Sequence, residues 1–130
     1  MTECLRIVVV EDDVFIAMDL AELLIGLGHD VPAIARTEAE AVAAAAKFHP
    51  NLMIVDGTLA EGSGISAMRQ INAQGFVPHF YTTGNPFQIR ELVKDAIIVA
   101  KPFSLQSLTK GIAEAMCTAD ASAAFPSRAT

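Results

Sequence analysis

Short apolar runs rich in β-branched residues alternate with segments of helical period along nearly the whole sequence. The runs are RIVVV (6–10), VPAIA (31–35), LMIV (52–55), VPHFYTT (77–83) and AIIVA (96–100). This alternation is the pattern of repeated βα units, in which parallel strands form a sheet covered by helices on both faces. Between the runs, VFIAMDLAELLIGLG places Ala17, Leu20, Leu24 and Leu27 at helical spacing, with Gly28 as a stop. Thr37 and Glu40 make a capping box opening the alanine-rich EAEAVAAAAKF, which ends at His49-Pro50. ISAMRQINAQG turns Ile65, Met68 and Ile71 inward, and Ser104 caps a last helix carrying Leu105, Leu108, Ile112 and Ala115. GNPFQIRELVKD (84–95) reads as a loop with at most a short helix, because its Gly-Asn-Pro start resists helix. Pro32 argues for an edge position of the second strand.

A chain of 130 residues with 52% hydrophobic residues suits one domain with a real core. Residues 1–118 are expected to form it, and 119–130, where the periodicity is lost, to form a disordered C-terminal tail. The net charge of −6 and the absence of any basic run disfavour nucleic-acid binding, which needs phosphate-neutralising cations. Cys4 and Cys117 have neither metal-ligand nor redox spacing and read as reduced thiols. The N-terminus lacks the pattern of a signal peptide, and no stretch reaches the roughly 18 apolar residues of a spanning helix. A cytoplasmic protein with no membrane partner is expected.

Chemistry concentrates just past the strand ends. Glu11 and Asp12 follow the first strand, Asp56 the third, Thr83 the fourth and Lys101 the fifth. In an open parallel sheet, ligands bind beyond the carboxyl ends of the strands, where the winding reverses, so the five converge on one rim. The acids would repel one another without a cation. Each residue has a role if the reaction is phosphoryl transfer to a carboxylate. Asp56 is the nucleophile. Glu11, Asp12 and Asp56 hold Mg²⁺, a hard cation that takes carboxylate and phosphate oxygens. Lys101 and Thr83 (rather than the adjacent Thr82) contact the phosphoryl group. Asp13 reads as a surface or helix N-terminal acid.

With VVVEDD, LMIVDG, YTTG and AKPF in that order, the chain resembles a response-regulator receiver domain of two-component signalling over residues 4–117. The resemblance implies a flavodoxin-like, doubly wound, five-stranded parallel sheet of order 2-1-3-4-5 in three αβα layers, with a short or irregular fourth helix. It implies Asp56 as phosphoacceptor, the Thr58 backbone carbonyl as a further Mg²⁺ ligand, and a cis peptide between Lys101 and Pro102. LAEGSGI and the Thr-Gly loop are similar to an alphaproteobacterial subgroup. One departure is Ile98, which stands three residues before the lysine where receivers usually carry an aromatic.

The expected function is a single-domain response regulator that accepts a phosphoryl group from a sensor histidine kinase or histidine phosphotransfer protein. It would then signal through an unknown protein partner, or serve as a relay or phosphate sink, as a monomer or weak dimer. It would be no enzyme beyond turning over its own phosphoryl group. The alternative is a receiver-like adaptor that binds partners without phosphorylation, which Ile98 keeps open. A haloacid-dehalogenase-type phosphatase would need an aspartate at Ile54, and a flavin module would not place acids after the first strand. Phe15, beside the acid pair, is read equally as a docking residue and as core; His29, His49 and His79 as loop or strand-edge residues; Met18, Met53, Met68 and Met116 as core.

Overall fold

The computed structural model describes residues 4–124, with side chains described as far as Thr118. Strands and helices alternate throughout: β1 (Arg6–Val10), α1 (Val14–Gly26), β2 (Asp30–Ala35), α2 (Glu38–Phe48), β3 (Leu52–Asp56), α3 (Gly64–Ala73), β4 (His79–Thr83), α4 (Pro86–Leu92), β5 (Ile98–Ala100) and α5 (Leu105–Ala124). All the pairings are parallel and the order is β2-β1-β3-β4-β5. The chain winds outward one way through β2 and the other way from β3, so the reversal falls between β1 and β3. Their carboxyl ends carry the acids.

Alternation along each strand builds two cores. Ile7 and Val9 of β1, Leu52 and Ile54 of β3, and Phe80 of β4 pack with Ala17, Leu20 and Leu24 of α1 and Leu108, Ile112 and Ala115 of α5. The intervening Val8, Val10, Met53, Val55 and Tyr81 pack with Ala41 and Ala44 of α2, Ile65, Met68 and Ile71 of α3, and Ile89 of α4. Removing a large aliphatic side chain from water contributes about 1.5–3 kcal/mol. A strand that slipped by one residue would exchange its two core sets and move the acid at its end.

The caps follow the sequence closely. Asp13 accepts from the amides of Phe15 and Ile16, Thr37 from Glu40, and Ser104 from Ser107. The return arm of the expected capping box is displaced: Glu40 Oε1 accepts from the Arg36 amide at 3.0 Å. His49 ends α2 in the left-handed region (φ 47°), and Gly28 turns the chain after α1 with φ 95°.

Several expectations need correction. β4 begins at His79 because the Val77 amide bonds the Asn72 side chain (3.0 Å) and Pro78 has no N–H to give. β5 begins at Ile98, the Ala96 amide being turned onto the Val93 carbonyl. Helix α5 continues to Ala124 through a stretch expected to be tail. ADASAA loses its apolar period, yet alanine has the highest intrinsic helix propensity. Residues 125–130 lie outside the described residues. Leu105 and Met18 are exposed rather than core: Leu105 opens α5 beyond the sheet, and Met18 shares an outward stripe of α1 with Ile25.

His29 lies in the loop ahead of β2, as expected, and is buried there: its Nδ1 accepts from the Leu5 amide at 3.1 Å, just ahead of β1. Burial lowers its pKa below the usual 6.5, because a charged ring would lose solvation. The unfolded chain therefore binds the extra proton first. The contribution of the neutral ring is complete above about pH 6.5 and is lost as the pH falls from there through the lower folded-state value. Urea midpoints measured from about pH 8 to about pH 5 should show this loss in the wild type. His29→Asn, which can accept the same bond without titrating, should show a shallower acid limb; equal limbs would contradict the account.

Candidate functional site at the carboxyl rim

The rim is assembled from four strand ends. Glu11 leaves β1 with its amide held by the Ala35 carbonyl of β2 (2.9 Å) and its Oε2 accepting from the Asp13 amide (3.1 Å). Asp56, the last residue of β3, accepts on Oδ1 from the Thr58 amide at 3.0 Å. Lys101 follows β5, its amide donating to the Thr83 carbonyl at 2.8 Å. Its ammonium donates to Glu11 Oε1 at 2.6 Å and to Asp56 Oδ2 at 3.0 Å. Carboxylate oxygens of Glu11, Asp12 and Asp56 all lie within 4.8 Å of one another. Glu11 is only 2% exposed.

Electrostatics follow from this crowding. Burial first, and hydrogen bonding with Asp56 second, push the Glu11 carboxyl up to about 7 against the opposing effect of Lys101. Burial works against the Lys101 ammonium, but its bonds to Glu11 and Asp56 outweigh it and raise its pKa. With all three carboxylates in the ionised form that a cation favours, the Lys101 ammonium would leave two negative charges, which a divalent cation balances. The donors are all hard oxygens, and none is soft. The set fits Mg²⁺.

Four of the expected residues thus meet: Glu11, Asp12, Asp56 and Lys101. Thr58 joins through its amide. Thr83 is buried at the rim, one strand from Asp56, and its hydroxyl accepts from the Asn85 amide at 3.0 Å. That leaves its own proton to donate. Thr82, not Thr83, stands opposite Asp56 in the ladder. The Lys101-Pro102 peptide is cis. Ile98 is half-buried beside Tyr81, packed on the α2–α3–α4 side. Phe15, read either way from sequence, is 85% exposed.

Two further contributors escaped the sequence reading. Gly57 and Gly64 bracket the loop after Asp56. A β-carbon at Gly64 would collide with the Asp56 carbonyl oxygen, and one at Gly57 with Ile89 of α4. The close approach of backbone to backbone is what requires glycine at residue 64. Glu38, in the first turn of α2, accepts from the Ser63 amide (2.9 Å), the Ser66 hydroxyl (2.7 Å) and the Gln70 side chain (2.5 Å). These bonds, the Ser63 amide foremost, hold its carboxyl below the usual carboxylate range.

Comparison with known proteins gives the same family. Over 115 residues the chain is 38% identical to the phyllosphere-induced regulator PhyR of Methylorubrum extorquens, covering 85% of this chain and 43% of that protein. It is 30% identical over 114 residues to the chemotaxis protein CheY of Bacillus subtilis, covering 82% of this chain and 93% of CheY. The chain belongs to the response-regulator receiver family. The solution structure of the Erythrobacter litoralis PhyR receiver domain superposes with a TM-score of 0.77 at 33% identity, covering 87% of this chain and 90% of that one. These matches agree with the alphaproteobacterial subgroup read from LAEGSGI and the Thr-Gly loop, and identify it as PhyR-like. The chain spans about half the length of the first curated relatives it matches. No family model matches it.

A receiver site built on so close an approach should tolerate no side chain at residue 64. Gly64→Ala should destabilise the fold by about 1–3 kcal/mol, the usual cost of overpacking. It should also displace the end of β3, visible as changed Asp56 and Gly57 amide resonances. Wild-type denaturant stability and spectra in that variant would refute the steric account.

Proposed function

We propose that this receiver takes a phosphoryl group from a phosphohistidine of a sensor kinase or histidine phosphotransfer protein onto Asp56. One Asp56 carboxylate oxygen attacks phosphorus, the phosphorus–nitrogen bond breaks, and the departing imidazole keeps the electron pair and takes a proton. Hydrolysis of the acyl phosphate later returns Asp56 and inorganic phosphate. The observation that carries the reading is the Lys101 ammonium bonded at once to Glu11 and Asp56, with Asp12 beside them.

Each residue has work in this scheme. The Thr58 amide and Lys101 fix the two Asp56 oxygens in different directions, so the nucleophile is oriented before the donor arrives. Glu11, Asp12, Asp56 and, by family resemblance, the Thr58 carbonyl would hold Mg²⁺, which neutralises the anionic donor. Lys101 and the free Thr83 proton supply donors for the phosphoryl oxygens. The chain works on no external substrate beyond this transfer. The exposed Phe15, adjoining the acid pair, is a contact for the phosphodonor; a further protein partner reads the outcome. No helix among the described residues is long and apolar enough to cross a membrane, and the proposed setting is the cytoplasm.

The second reading, an adaptor that works by contact alone, is favoured by Ile98, an aliphatic where receivers usually carry an aromatic. Acetyl phosphate or beryllofluoride with Mg²⁺ separates the two. The wild type should form an adduct detectable by mass or by rim amide shifts, and Asp56→Asn should form none. Absence of any Asp56-dependent adduct favours the adaptor. Lys101→Ala should still take up Mg²⁺ through the three carboxylates while losing most of its response to phosphorylation. A full response in that variant would remove the lysine from the phosphoryl-binding role.

A further inference from the structure

The loop joining β3 to α3, residues 57–63, starts at Asp56 and carries Thr58, yet it is held by a side chain from a different βα unit. Both Glu38 oxygens are engaged there: Oε1 accepts from the Ser63 amide, and Oε2 from the Ser66 hydroxyl and the Gln70 amide. The Glu38 backbone amide in turn donates to the Glu61 carbonyl at 3.2 Å. Gly62, at φ 81°, lies so close that a β-carbon would fall 2.5 Å from the Glu38 side chain. Ser63 closes the loop on itself through a β-bridge to Thr58 and caps α3 by accepting from the Ser66 amide at 2.9 Å.

These contacts run from one residue to the next, two of the steps as hydrogen bonds and the middle one as a backbone bridge. Glu38 holds Ser63, Ser63 bridges to Thr58, and the Thr58 amide donates to Asp56 Oδ1. On the other side the loop is backed by Ile89 against Gly57. A carboxylate at the start of α3 also meets the positive end of that helix, so the charge is favourable where it sits. An ordinary surface glutamate would spend its carboxylate on water, whereas this one accepts from three separate groups of one loop and helix.

We infer that Glu38 is a positioning residue, which sets the orientation of the Thr58 backbone against Asp56 and through it the affinity of the rim for a divalent cation. The inference rests on the proposed phosphoacceptor role of the rim. Groups that orient a metal ligand from outside its coordination shell typically change metal affinity by 10–100-fold when lost. Glu38 acts at one remove, through the loop, so the low end of that range applies.

The test follows the Thr58 amide and Mg²⁺ uptake separately, in Glu38→Ala, Glu38→Gln and the milder Ser66→Ala. In Glu38→Ala the Thr58 and Ser63 amide resonances should move while those of β1 stay in place. Mg²⁺ affinity, read by titration of the rim amides, should fall about tenfold. Glu38→Gln keeps an acceptor for the Ser63 amide and should recover part of both. If Glu38→Ala does not fold, Ser66→Ala should give a smaller shift of Thr58 in the same direction. A Thr58 resonance and Mg²⁺ affinity unchanged from a wild type that does bind Mg²⁺ would overturn the assignment. A wild type that binds no Mg²⁺, with Thr58 still moving in Glu38→Ala, would support the positioning of the loop and overturn the phosphoacceptor reading instead.

Discussion

Like charges at one rim are the constraint around which the molecule is organised. At an effective dielectric near 20, two carboxylates 4 Å apart repel by about 4 kcal/mol, a large part of the roughly 5–15 kcal/mol that keeps a domain folded. Lys101 offsets this by donating to two of the three acids. It must do so across the sheet, since β4 lies between β5 and β3, and β1 lies farther still. With strands about 4.8 Å apart, only long side chains can meet over such a span. The acid that meets the lysine from β1 is accordingly the glutamate, not the shorter Asp12 beside it. β4, which lies in between, ends in the small residues Thr82 and Thr83, with Gly84 next.

Holding the acids together also requires that the backbone beneath them not yield. β1 and β3 are buried on both faces, so a shift of either would exchange its inward and outward residues between two different cores. The loop after Asp56 has no such protection. Its rigidity comes from close approach at Gly57 and Gly64 and from Glu38 reaching over from α2. The strands place the acids, and the neighbouring helices fix the segment that follows Asp56.

Much of this could be read in advance because it depends on local pattern plus one topological rule. Apolar runs ending in Glu11, Asp56 and Lys101 needed only the convergence of parallel strand ends to become a site. Thr37 and Ser104 were legible as caps, and Asp13 as a surface or helix N-terminal acid, since capping is settled within a few residues. What could not be read depends on which elements become neighbours. Glu38 looks like a solvated first-turn acid until α2 and α3 are laid side by side. His29 is the loop residue its sequence suggests, but its burial follows only once the segment ahead of β1 passes over it. Leu105 and Met18 have helical spacing yet face outward, because periodicity identifies a stripe without saying whether another layer covers it. The continuation of α5 to Ala124 is the reverse case, in which propensity extends a helix that no apolar stripe announces.

Ile98 bears on how the rim could be felt elsewhere. Its aliphatic side chain packs beside Tyr81 on the inner side of the sheet and has no hydroxyl or ring edge with which to follow a moving threonine. Thr83, however, is tied in two directions independently of residue 98. Its carbonyl holds the Lys101 amide, and its hydroxyl holds the amide of Asn85, which caps α4. A rotation of that hydroxyl toward Asp56 would free the Asn85 amide at the start of a seven-residue helix. So short a helix gains little from propagation and depends on its cap and on Ile89. Phe87 and Leu92 stand exposed on it. The contacts that tie Thr83 to the surface helix α4 therefore lie in the β4–α4 turn, apart from residue 98.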